Sequence, residues 1–243
     1  MFFKKIGKCG FKMIRLEDVS KIYSGGYGIH KVNMDIPASS IISVIGPNGV
    51  GKTTLLNVIA GVNAQTEGRI LWDGKDLDII ERRKLFGYMP DEYSVSNKVT
   101  AWELLRLISD YRYQGKNYGY LINMMEILGL KKYAGTKVSE LSLGNKRKLS
   151  MIIAFMGEKK VVILDEPTTG VDTAGIIQLK EEILKAKTAE RTVIVSSHIL
   201  DFLQSISDFS YFLKDGSVIK RVEKKIDLEK NYRELYLGEK ANE

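Results

Sequence analysis

The segment from Ile41 to Ala60 constrains the fold more than any other part of the chain. A mostly apolar run, Ile41-Ile42-Ser43-Val44-Ile45, leads directly into Gly46-Pro47-Asn48-Gly49-Val50-Gly51-Lys52-Thr53. Thr53 to Ala60 then carries helix-compatible apolar spacing, with Thr54 in its first turn and Gly61 as its stop. A short continuous apolar run of this kind reads as a buried parallel strand. The loop fits the spacing G-x-x-x-x-G-K-[ST], in which backbone N–H groups close around phosphate oxygens at the positive end of the following helix. In such a loop Lys52 is expected to reach the β- and γ-phosphates of a nucleoside triphosphate, and the Thr53 hydroxyl to bind Mg²⁺.

The rest of the chain alternates strands and helices, which predicts an α/β fold with a mostly parallel sheet. Residues 14–19 show strand periodicity with one buried face. Asp73-Gly74 reads as the turn of a hairpin within residues 68–80. Thr100-Ala101-Trp102-Glu103 matches a capping box, with Val99 and Leu104 placed as a hydrophobic staple around it. Leu104, Leu105, Ile108 and Tyr111 are expected to continue one apolar face; Gly115–Gly119 breaks it and Leu121–Leu128 resumes it. Apolar strands follow at 161–164 and near 192–196.

Val161-Val162-Ile163-Leu164 ends in Asp165-Glu166-Pro167. A carboxylate at the end of a buried strand suits completion of a Mg²⁺ shell, which assigns Asp165. Glu166, the next residue, is placed to orient or deprotonate an attacking water.

These motifs, running from Tyr23 to His198, resemble those of the ATP-binding cassette (ABC) family. The resemblance implies a phosphate-loop ATPase core with an N-terminal antiparallel β subdomain and an inserted helical subdomain, here about 92–145. It implies ATP and Mg²⁺ as cofactors, with sites lying between two protomers. Tyr23, which precedes Lys52 by 29 positions, resembles the aromatic residue that stacks on adenine, and Tyr27 is an alternative. Leu141-Ser142-Leu143-Gly144-Asn145 resembles the signature sequence, whose Ser142 and Gly144 positions touch the γ-phosphate held by the partner protomer. Leu143 and Asn145 depart from the usual Leu-Ser-Gly-Gly-Gln. Asp172, in Thr169-Gly170-Val171-Asp172, falls in the loop that touches the opposite site, and His198 resembles the switch histidine that contacts the γ-phosphate. After Tyr88-Met89-Pro90 the family has a glutamine; this chain has Asp91 and then Glu92. Asp91 is a candidate Mg²⁺ ligand, although its charge disfavours close approach to a triphosphate.

The resemblance further implies a separate membrane-spanning transporter subunit as partner, together with a second copy of the chain or a paralogous ATPase subunit. Asn145-Lys146-Arg147-Lys148-Leu149 is similar to the stretch after the signature in separate-subunit antibiotic and drug exporters, which favours export. A soluble ABC ATPase without a transporter, of the iron–sulfur assembly type, is the alternative.

Composition sets the compartment. The 243 residues carry one cysteine, Cys9, so no intrachain disulfide forms. No run approaches the roughly 18 apolar residues of a membrane span. The expected location is the cytoplasmic face of the membrane, reached through the membrane subunit. Residues 1–12 are expected to be a flexible leader before a single domain over 13–243. The net charge of +7 is spread along the chain, with acids interleaved through the Lys220–Lys240 tail, so no nucleic-acid partner is expected.

Overall fold

The computed structural model describes residues 13–91 and 98–238. The expected leader at 1–12, with Cys9, lies outside the described residues, as do Glu92 and the opening of the expected helical insertion.

Among the described residues, ten strands form two sheets. The first contains β1 (Met13–Ile22), β2 (Gly28–Pro37), β4 (Glu67–Trp72) and β5 (Lys75–Asp76) in the antiparallel order β2-β1-β4-β5. The hairpin expected around Asp73-Gly74 is present, with Trp72 opposite Lys75. In β1 the register against β2 shifts on either side of Val19. Ile14, Leu16 and Val19 are all buried although Val19 has the wrong parity, because the register shifts between Leu16 and Val19 and Asp18 takes a positive φ of 50°. The extra residue of this bulge returns Val19 to the core face.

The second sheet has the order β10-β9-β3-β8-β7-β6, from β3 (Ile41–Ile45), β6 (Phe86–Met89), β7 (Val161–Leu164), β8 (Thr192–Ser196), β9 (Phe209–Lys214) and β10 (Ser217–Glu223). All its pairings are parallel except the edge hairpin β9–β10. Every residue of β3, β7 and β8 is buried, as two covered faces require.

The helices divide the core in two. α1 (Lys52–Ala60) packs between the sheets in a cluster with Ile14, Leu16, Val32, Ile42, Val44 and Ile70. Gly61 ends it with φ 75°, donating its N–H to main-chain carbonyls of the last turn. α2 (Ile79–Leu85), a helix beyond those expected, is started by Asp78 in a capping box with Glu81.

The other face of the six-stranded sheet is covered by α5 (Leu143–Phe155), α6 (Thr173–Thr188) and α7 (Leu200–Ile206), with α3 (Ala101–Tyr113) and α4 (Tyr118–Ile127) packed against α5. Thr100 and Glu103 form the expected capping box of α3. Tyr111 does not join the apolar face and is 88% exposed; Leu104 and Leu105 are buried, and Ile108 packs against them. Tyr113, two positions later, packs inward instead, its hydroxyl donating to Met156 O at 3.1 Å. The last helical segment, α8 (Leu228–Tyr232) with a π turn over Arg233–Leu237, returns toward β3 and β9, where the Tyr236 hydroxyl lies 3.4 Å from Ile45 O of β3 and donates to Leu213 O of β9 at 2.6 Å.

Candidate nucleotide site

The phosphate loop joins the end of β3 to the start of α1. Two of its positions have geometric reasons to be glycine. Gly51, at the helix N-cap, has φ 103°, and a Cβ there would lie 2.9 Å from Ile29 Cγ2. A Cβ on Gly46 would come within 2.7 Å of Leu213 O. Lys52 folds back over this loop, its Nζ donating to Gly46 O at 2.7 Å and Pro47 O at 3.1 Å. Burial lowers the Lys52 pKa, opposed by the charges of Glu166, Asp165 and Asp91.

The loop opens onto a cavity of about 230 Å³, lined by Tyr23, Tyr27, Gly28, Asn48, Gly49, Gly51, Lys52, Thr53, Thr54, Asp91, Glu166 and His198. Most of the residues singled out for one nucleotide therefore share one cavity. Tyr23 and Tyr27 form its outer edge, both exposed, with the Tyr23 hydroxyl accepting from Asn63 Nδ2 at 3.0 Å.

Asp165 and Glu166 sit at the end of β7, beside β8. Ser196, at the end of β8, serves both: its Oγ donates to Asp165 Oδ1 at 2.6 Å and accepts from Glu166 N at 2.9 Å. Asp165 is fully buried and its Oδ2 has no hydrogen-bond partner. A buried carboxylate oxygen left bare is costly unless a cation or donor meets it. Burial raises the Asp165 pKa, against the hydrogen bond from Ser196 and the nearby Thr53 hydroxyl, which lower it. The bare oxygen, with the Thr53 hydroxyl beside the same carboxyl group, fits a hard divalent cation.

Glu166 is also buried, and burial is the largest influence on its carboxyl, moving the pKa up against the pull of His198 and Lys52. Its φ of 47° is left-handed, rare for a residue with a side chain and a form of strain that gathers at functional positions. Oε2 accepts the His198 backbone N–H at 3.1 Å. Oε1 is 3.2 Å from His198 Nε2 without hydrogen-bond alignment, and is otherwise unpartnered. An oxygen so placed can accept a proton from a water in the cavity.

Ser142, Gly144 and Asp172 lie outside the cavity. Ser142 caps α5, its Oγ accepting from Asn145 N at 3.3 Å, and is exposed together with Leu143. Gly144 packs so tightly on the loop after β7 that a Cβ would sit 2.4 Å from Gly170 O. Asp172 caps α6, accepting from Gly175 N at 2.9 Å, and pairs with Lys148 Nζ at 3.0 Å. Asp91 lines the cavity, and its Oδ1 is ion-paired with Arg147 of α5.

Sequence reasoning did not find the parts played by Ser196, Lys148 and Arg147. All three act through contacts between residues far apart in the chain, which no local pattern records.

Comparison with known proteins gives the same picture. The sequence pattern of the family described as "ABC transporter" matches residues 29–169. The lantibiotic transport ATP-binding protein SrtF of Streptococcus pyogenes is 30% identical over 224 residues, which is 92% of this chain and 96% of that protein. A solved structure of an ATP-binding subunit of an ABC transporter superposes with a TM-score of 0.83 at 24% identity, covering 92% of this chain and 99% of the other. A dimeric bacterial ABC transporter cassette superposes with a TM-score of 0.75 at 25% identity, over 87% and 98% of the two chains. By the family pattern and by a 30%-identical relative aligned along almost its whole length, this chain belongs to the ABC transporter family, as an ATP-binding, ATP-hydrolysing subunit.

Proposed function

We propose that the subunit hydrolyses Mg·ATP at a site completed by a second copy of the chain, and that it drives a separate membrane-spanning subunit in the export direction. The carrying observation is a division of the site residues. Lys52, Thr53, Glu166 and His198 share one cavity, whereas Ser142 and Asp172 stand exposed outside it. A second copy turned face to face brings exposed helix-start groups onto the phosphate of the first. The dimeric cassette at 25% identity supports such a pairing.

In this reading Lys52 leaves the loop carbonyls for the β- and γ-phosphates. Tyr23 stacks on the adenine, and the N–H groups of residues 46–54 surround the phosphates. Thr53 and Asp165 would hold Mg²⁺, which supplies charge neutralisation on the transferred phosphoryl group. Glu166 Oε1 orients a water whose oxygen bonds to the γ-phosphorus as the bond to the β–γ bridging oxygen breaks. The water's proton passes through Glu166 to the departing phosphate, leaving ADP and inorganic phosphate. His198 holds the Glu166 carboxylate by its backbone N–H and faces the γ-phosphate with its ring. The Ser142 hydroxyl and the main-chain N–H of Gly144 supply the opposite wall.

Among the described residues no helix is long and apolar enough to cross a membrane. Attachment to the membrane's inner face then depends on the membrane-spanning partner. Export is supported by the 30%-identical relative named for lantibiotic transport and by Asn145–Leu149.

Phosphate release by the purified subunit tests the chemistry. Glu166→Gln should lower turnover by about a hundredfold or more, the scale on which general-base groups act, while ATP still binds. Turnover within a few-fold of wild type would remove Glu166 from the proposed role.

A further inference from the structure

Arg147 is the residue in this region whose position the proposed chemistry leaves unused. It lies one turn into α5, with a side chain only 7% exposed. Its guanidinium is spent on the strand end that leads to the cavity: Nη1 donates to Pro90 O at 2.9 Å, and Nη2 pairs with Asp91 Oδ1. Its Nε is buried without a partner. Asp91 is within electrostatic reach of Lys52 and Asp165, so its charge is felt where the phosphates are proposed to bind. The neighbouring residue of α5, Lys148, holds Asp172 in the loop before α6. Consecutive cations on the helix that Ser142 begins thus fasten two acidic loops, one bordering the cavity and one outside it.

We infer that Arg147 is a positioning residue that neutralises Asp91 at the mouth of the phosphate cavity and ties Pro90 and Asp91, just after β6, to the helix carrying Ser142 and Gly144. The inference rests on the nucleotide assignment proposed above. A carboxylate facing a triphosphate without a counter-charge raises the free energy of the bound state, and the effect grows in a partly desolvated cleft. The planar guanidinium grips a carboxylate and a carbonyl together, a two-point hold that a lysine ammonium does not reproduce. Asp91 then acts as an anchor for α5. Its paired oxygen faces Arg147, and Mg²⁺ is left to Thr53 and Asp165.

A double-variant cycle on the full chain tests this, with Mg·ATP and Mg·ADP affinities measured by titration calorimetry. Arg147→Gln should weaken Mg·ATP about tenfold and Mg·ADP less, because the exposed carboxylate repels the more highly charged ligand more strongly. Asp91→Asn with Arg147→Gln should return Mg·ATP affinity to within about twofold of wild type, a rescue that loss of packing would not give. Arg147→Met, which fills a similar buried volume, repeats the test should the glutamine variant fail to fold. An unchanged affinity in the single variants, or a double variant as weak as Arg147→Gln, would overturn the inference. Lys52→Ala, run in parallel, separates the two levels of the argument. If wild type and Lys52→Ala bind Mg·ATP equally weakly, the nucleotide assignment fails. If Lys52→Ala alone loses binding, only the role given to Arg147 is at stake.

Discussion

Glu166 combines burial, a left-handed backbone and an oxygen with no aligned donor. Each opposes stability, and each leaves a base in a desolvated, fixed position beside the cavity. The sign of the pH effect follows from burial. The carboxyl pKa is raised in the folded protein, so folding takes up protons, and stability is lost as pH rises from the ordinary carboxylate range through the folded pKa. Glu166→Gln removes that ionisation. It should therefore stabilise the nucleotide-free protein at pH 7 by on the order of 1 kcal/mol, and so raise its melting temperature. Scanning calorimetry should show the gain shrink toward zero as pH falls to about 4, where the ordinary carboxylate is half protonated. A gain independent of pH would mean that burial of the charge is not its source. The cavity residues were legible because their motifs are local: a glycine loop after an apolar strand, and adjacent acids at a strand end. Ser196 was not legible, since its link to Asp165 spans 31 positions between neighbouring parallel strands. Arg147 and Asp91 were both read from the sequence, but 56 positions separate them and nothing local pairs them.

At the level of elements, α5 ties the loops around the site together. It begins at Ser142, presses Gly144 onto Gly170, and sends Arg147 and Lys148 to Asp91 and Asp172. Gly144→Ala would drive a methyl group to 2.4 Å from Gly170 O, so the start of the helix must shift. Because that face lies outside the nucleotide cavity, ATP binding to one copy should stay within about threefold of wild type, while phosphate release falls roughly tenfold or more. Equal loss in binding and turnover would place Gly144 in the cis pocket. The returning C-terminal segment makes a second brace. Tyr236→Phe deletes a hydroxyl that donates at 2.6 Å to Leu213 O, the same carbonyl that crowds Gly46. Urea unfolding should show a loss of about 1 kcal/mol. Of these elements, strands flanked by glycines and the capped helix α3 were readable in advance. α2 was missed although Asp78 and Glu81 carry the spacing of a capping box, because its seven residues with three adjacent basic side chains show no apolar period. Tyr111 was misplaced because the buried face of α3 runs through Ala101, Leu104, Leu105 and Ser109, and Tyr111 falls at the edge of that face.

For the whole molecule, two cores flank one mostly parallel sheet, with the phosphate-loop cavity at the carboxyl ends of its central strands and the start of α5, at Ser142 and Leu143, exposed outside it. The α/β class, the antiparallel N-terminal sheet and the helices between β6 and β7 all followed from sequence pattern and family resemblance. The relation of one copy to another did not, since the residues that meet across such an interface carry no mutual spacing in the chain. The central claim is that Ser142 and Gly144 of one copy close the site built by Lys52 and Glu166 of another. Light scattering behind size exclusion on Glu166→Gln, with and without Mg·ATP, tests it most directly. A shared site predicts a monomer without nucleotide and a dimer of twice the 27.4 kDa chain mass with it, and loss of that dimer when Ser142→Arg is added. A Glu166→Gln protein that binds Mg·ATP yet remains a monomer would contradict the shared site.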